Sequence, residues 1–207
     1  FRVAIRGKGG HTGAPHKAVD PVLAAANFIS AAQMIQTREV DVLSPTLVMF
    51  GAVHAGGQAS NIVPEKVELA GTVRYLYEGG PDSPERPLQR FERILAGICA
   101  ASGTEFTCSW IPSNPCLVND PAMAAVVREA AVFIVGEENI VPFISTAGED
   151  FAEFARSVPS AFAFVGTGNA AKGTDYPQHH PKFDVDEEAL PAAAELFVRS
   201  ALAFLAK

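Results

Sequence analysis

The chain has 207 residues, 48% hydrophobic and 19% charged, enough for one large domain or two small ones with a real core, and too apolar for disorder. Its formal net charge of −7 argues against a nucleic-acid backbone as the main partner, because phosphate binding needs a basic face. No apolar run reaches membrane-spanning length, and Cys99, Cys108 and Cys116 form no Cys-x-x-Cys pair, which reads as reduced thiols of a cytoplasmic protein.

Phe1, Val3 and Ile5 alternate with Arg2, Ala4 and Arg6, a strand pattern. These residues carry neither an initiator Met nor a signal-peptide pattern, so the chain is expected to begin mid-protein, inside this strand. The loop 7–16 follows, with four glycines, two histidines and a proline. Glycine lets backbone approach a ligand closely, and histidine can donate a hydrogen bond, take a proton or bind a metal. Asp20-Pro21 has the form of a helix start, and apolar spacing predicts a helix over 22–36. Residues 46–53 read as a buried strand, 55–61 as a second glycine-rich loop, and 66–75 as a half-buried strand. A turn at 81–84 precedes an amphipathic helix over 88–101, which Gly103 ends. Residues 105–111 close this half as a strand. The order β-α-β-β-α-β predicts a ferredoxin-like domain over 1–112, an antiparallel sheet with both helices on one face.

In the second half, Ser113-Asn114-Pro115 reads as a linker. Asn119-Asp120-Pro121 starts a capped helix running to about residue 135. Thr146-Ala147-Gly148-Glu149 fits a capping box that opens a short helix over 150–156. The continuous apolar run 161–166 predicts a strand buried on both faces, as in a parallel sheet. A polar loop, 167–186, leads to a final helix over 187–206. This half has too few strands for a sheet of its own, so 113–207 reads as one part of a larger α/β domain.

Five pieces then occur in order: Gly-Lys-Gly-Gly-His at 7–11, Gly-Gly-Gln-Ala-Ser-Asn-Ile-Val-Pro at 56–64, Gly-Thr-Val-Arg at 71–74, Gly-Glu-Asp-Phe at 148–151 and His-His-Pro-Lys-Phe-Asp at 179–184. Together they resemble the amidohydrolase branch of the M20 metallopeptidases, the N-acyl-amino-acid and hippurate-type hydrolases. The resemblance covers essentially the whole chain. It implies a catalytic domain holding two divalent metal ions (zinc, manganese or nickel), with a ferredoxin-like lid inserted that also makes a homodimer. The implied reaction is hydrolysis of the amide of a small N-acyl amino acid by a metal-activated water.

His11 matches the family's lid histidine, which the resemblance places at the partner subunit's active site as a stabiliser of the tetrahedral oxyanion. By itself the residue also reads as a solvated turn histidine. Asn61 and Arg74 match substrate-binding positions, suited to a free α-carboxylate; read alone, they are an Asx-turn residue and a strand-end charge facing water. His179 matches the C-terminal metal ligand in a His-x-Pro-x-Phe pattern, and His180 falls where relatives often carry a small polar residue. His16 reads as a residue that positions the loop or as part of the site. Glu149 and Asp150 match a motif at the catalytic-domain rim, although the capping box accounts for Glu149, and His54 reads as a surface residue.

The resemblance also implies that most metal ligands and the general base come from an N-terminal segment, a His-x-Asp or Cys-x-His pattern and a Glu pair. None of these is present, so the chain is expected to be a fragment that is inactive alone. The competing reading is a non-enzymatic dimerisation or small-molecule-sensing module of the same ferredoxin-like layout.

Overall fold

Three of the helix starts carry proline at the first helical position, where its missing N–H costs nothing. Asp20 caps α1 (Pro21–Ala32) by accepting from the Val22 and Leu23 N–H groups, and Asp120 caps α3 (Pro121–Val135) through Ala122 and Met123 in the same way. α2 (Pro87–Ser102) ends on Gly103 at φ 65°, the left-handed C-cap. A computed structural model describes residues 1–57, 59–77 and 80–206, so Gln58 of the second glycine loop lies outside the described residues. The chain divides into two compact units, Phe1–Cys116 and Leu117–Lys207.

In the first unit, β1 (Arg2–Arg6), β3 (Thr46–Ala55), β5 (Lys66–Tyr75) and β6 (Glu105–Ser109) form an antiparallel sheet in the order β3-β5-β1-β6. The register pairs Ile5 with Val67 and with Phe106, so the alternation read in the sequence becomes one apolar face. On it lie Val3, Ile5, Val48, Val67 and Leu69, packed against Ala24, Ala25 and Phe28 of α1 and Phe91, Leu95 and Cys99 of α2. Phe91 is the hub: its ring centroid lies 4.6 Å from Phe1, 5.0 Å from Phe28 and 5.1 Å from Trp110. Such aromatic pairs add to the area that their burial removes from water. After α1 the chain makes a wider turn, Ile35–Glu39, that seats Ile35 fully in the core. There Glu39 receives Arg93 at 2.6 Å and Arg90 at 3.4 Å, and the Arg93 hydrogen bond is the main reason its carboxyl sits below the ordinary range.

Gly7 ends β1 where the chain must touch the start of α1. A Cβ there would stand 2.1 Å from the Val19 carbonyl oxygen and 2.9 Å from Pro21. Gly7→Ala is therefore expected to destabilise the protein by about 1–3 kcal/mol through displaced backbone, read as a lower urea midpoint with an unchanged slope. A slope change or no change in midpoint would contradict this account of the contact.

In the second unit, α3 lies against α5 (Leu190–Leu205), with the Arg199 guanidinium 3.6 Å from the Phe133 ring centroid. Val126, Ala130 and Ala152 are its buried apolar residues among those described, whereas Phe133, Phe143, Ile144 and Phe197 are largely exposed. Two expectations fail here. The run 161–166 joins no ladder, and Phe164 is 54% exposed: among the described residues this unit has no strand to pair with it. Its backbone is instead held by one side chain: Asn119 donates to the Phe162 carbonyl at 2.9 Å and accepts from the Phe162 N–H at 2.8 Å. The capping box also does not form. The helix is the single turn α4 (Ala152–Ala155), without a side-chain cap, and Glu149 accepts from the Phe151 N–H at 3.2 Å.

Candidate active-site elements

Two short strands build the first candidate site: β2 (Gly10–His11) and β4 (Ile62–Val63) pair antiparallel, with His11 opposite Ile62. The Thr12 N–H donates to the Asn61 carbonyl at 3.1 Å, so His11 and Asn61 stand on neighbouring chains of the same ladder. Lys8 bridges Val19 and the Gly7 N–H donates to the Glu65 carbonyl at 2.9 Å, which anchors the loop on both sides. An open hollow of about 490 Å³ lies here, lined by Gly9, Gly10, His11, Ile62, Val63, Pro64 and Glu65.

The His11 ring is fixed from one side. Its Nδ1 accepts from the Gly13 N–H at 2.9 Å. A neutral imidazole whose Nδ1 is an acceptor carries its proton on Nε2. His11 is therefore an oriented N–H donor on an exposed ladder. His16 sits in the exposed turn Pro15–Lys17, and His54 lies on the open sheet face opposite Glu68.

Arg74 is not with them. It sits opposite Leu47 near the far end of β5, exposed, on the sheet face away from the helices. The strand runs from Lys66, beside the His11 loop, to Arg74, about 27 Å at ~3.4 Å per residue. No arginine side chain spans that length. Within one chain Asn61 and Arg74 cannot hold the same carboxylate.

His179 lies in the second unit, exposed, at φ 68°, one of two non-glycine residues with positive φ among those described. Holding a histidine there costs ~1–3 kcal/mol, a strain that clusters at functional loops. No hydrogen bond or ion pair engages its ring among the described residues. No group of three or more His, Cys, Asp or Glu that could hold a metal occurs among the described residues. An imidazole can serve a metal as one donor of a larger set, and the described residues do not complete such a set around His179.

The loop 167–186 carries a brace that sequence reading missed. Asp186 receives Lys172 at 2.7 Å and the Asn169 amide at 2.7 Å, and it caps the turn Glu187–Ala189. These partners, Lys172 foremost, pull its carboxyl from 3.8 to about 2. A depressed carboxyl contributes stability that is complete above its unfolded value and lost as pH falls through its folded one. The wild type is therefore expected to lose more stability than Asp186→Asn between pH 3.8 and about 2, by urea unfolding of each. Equal losses would remove Asp186 from the account. The signal was present in Asn169-Ala-Ala-Lys-Gly, a capped turn closed by Gly173 at φ 70°.

None of the three cysteines forms a disulfide among the described residues, and burial pushes all three thiols up, Cys108 to about 11. None has the depressed pKa of a nucleophilic thiolate.

With this geometry in view, the comparisons with known proteins are specific. Residues 12–203 match Peptidase family M20/M25/M40, and the chain belongs to that family. It is 37% identical over 203 residues to a protein of Bacillus subtilis (strain 168) named N-acetyl-L-cysteine deacetylase, covering 97% of this chain and 46% of that one. It is 34% identical over 211 residues to the Arabidopsis thaliana protein named IAA-amino acid hydrolase ILR1-like 5, covering 99% of this chain and 47% of that one. Among solved structures, a Bacillus subtilis protein described as a dinuclear metal binding peptidase of the M20 family superposes with a TM-score of 0.76 at 27% identity, over 100% of this chain and 49% of that one. The chain spans about half the length of the curated relatives it matches.

Proposed function

We propose that this chain is the lid and C-terminal catalytic portion of a metal-dependent amidohydrolase that cleaves the amide bond of N-acyl amino acids. The observation that carries the reading is His11: Gly13 occupies its Nδ1, which leaves Nε2–H aimed as a donor, the group a developing oxyanion needs. The names of the two relatives support the substrate class, since both describe amides of an amino acid. The antiparallel sheet with α1 and α2 on one face supports a ferredoxin-like lid. The separation of Arg74 from Asn61 along β5 supports a site shared by two copies: Arg74 binds the substrate carboxylate in one, and His11 with Asn61 serves the other.

His179 supplies one ligand to a pair of divalent ions, and the remaining ligands and the general base lie in sequence outside this chain. When bound, such ions polarise the scissile carbonyl and lower the pKa of the attacking water. The chain's own residues orient the substrate's acid end and stabilise charge on the carbonyl oxygen. Three thiols without a disulfide suit a reducing compartment such as the cytoplasm.

The test uses the polypeptide at the length of its relatives, called the full-length protein below, loaded with zinc, manganese or nickel. Release of amino acid from N-acetyl-L-cysteine is expected, with strong discrimination against its carboxamide, which offers Arg74 no carboxylate. Absence of turnover on any N-acyl amino acid, with ligand binding retained, would favour the sensing module.

A further inference from the structure

His179 and His180 are adjacent, yet only His180 is bound into the loop. Its N–H donates to the Pro177 carbonyl at 3.1 Å, and its carbonyl accepts from the Phe183 N–H at 2.9 Å. Its Nδ1 accepts from the Lys182 N–H at 3.1 Å. Its ring lies parallel to Tyr176, with centroids 4.5 Å apart and planes at 12°, and the Lys182 ammonium stands 5.6 Å from the same phenol ring. Two consecutive turns, 177–180 and 180–183, therefore meet at His180. His179 is the third residue of the first turn, at φ 68°, where a residue with a side chain is uncommon.

A strained backbone on an exposed loop persists only where its neighbours over-determine it. Here the neighbours are the stack and the Nδ1 hydrogen bond. The tautomer separates the roles of the two rings. Because His180 accepts at Nδ1, its neutral ring carries the proton on Nε2 and has no lone pair left for a cation. Ligation through Nε2 would move that proton to Nδ1, facing the Lys182 N–H, and break the brace. His179 has no such commitment.

We propose that His180 and Tyr176 are positioning residues that hold His179 in its left-handed backbone and so present its imidazole, pre-oriented, to a metal. The proposal rests on the reading of His179 as a ligand. In the His-His pair the first residue coordinates and the second braces.

The test has two arms. In the 207-residue chain with isotope-labelled histidine, His179 is expected to show the reduced one-bond Cα–Hα coupling of a positive-φ residue. Tyr176→Phe keeps the stacking face and retains that coupling. Tyr176→Leu and His180→Ala lose it, while signals outside 174–186 stay in place. In the full-length protein, His180→Ala weakens zinc binding ~10–100-fold, the range for residues that orient a ligand, and Tyr176→Phe keeps most of the affinity that Tyr176→Leu loses. The proposal is overturned if the coupling survives in His180→Ala and Tyr176→Leu, if Tyr176→Phe loses it too, or if His180→Ala leaves zinc affinity unchanged. His179→Ala keeps the two readings apart: unchanged zinc affinity in that variant removes the ligand role, whereas the coupling in the shorter chain reports the brace alone.

Discussion

His179→Ala in the full-length protein is expected to lose metal, by more than the ~10–100-fold in affinity that changes around a ligand cost. The reasoning is local. Among the described residues no cluster of three donors stands by to replace it. Its ring is not engaged in any hydrogen bond or ion pair there, so removing it exposes no buried partner and disturbs no packing. Metal content by elemental analysis should fall, and thermal unfolding of the metal-free protein should stay where it was. A variant that keeps both ions would show that another residue completes the set.

His11→Ala is expected to do the opposite: retain both ions and lose turnover. Removing one oxyanion donor costs ~10²–10³ in kcat. The Ala variant keeps the pairing of Gly10 with Val63 and the Thr12–Asn61 hydrogen bond, because those are backbone contacts. Only the imidazole and its bond from the Gly13 N–H are lost. KM should therefore move little while kcat falls. A rise in KM at constant kcat would make His11 a ground-state binding residue.

The first unit was legible because its signals are short-range. Alternation in β1 and β5, Asp20 as a cap with proline behind it, and Gly103 as a stop all act within a few residues, and each element formed where those signals lie. The second unit was less legible for the same reason. The apolar run 161–166 has strand composition, but a strand exists only with a neighbour, and none pairs with it among the described residues. The Thr146–Glu149 box has the right spacing, yet the chain turns at 149–151 before any helix begins, so the box has no N-terminus to cap.

The candidate site shows the same division. That His11 and Asn61 share a ladder follows from two glycine loops at the same end of the sheet, which spacing along the chain hints at. That Arg74 lies at the other end follows only from the register of β5, which single-sequence patterning does not reveal. The resemblance assigned Asn61 and Arg74 to one substrate carboxylate, and the register separates those two within a copy. The role of His180 was invisible because it depends on a stack with Tyr176 and a hydrogen bond from Lys182, neither of which has a spacing rule.

The central claim is that His11 of one copy works at the metal centre held by His179 of another. It is tested by mixing full-length His11→Ala with full-length His179→Ala, each inactive alone, under conditions where subunits exchange. In a symmetric dimer, random exchange restores one intact site in each mixed pair, about a quarter of wild-type activity. Recovery near that level is the predicted result. Mixed dimers, demonstrated by differential tags, that show no activity above the separate variants would contradict it.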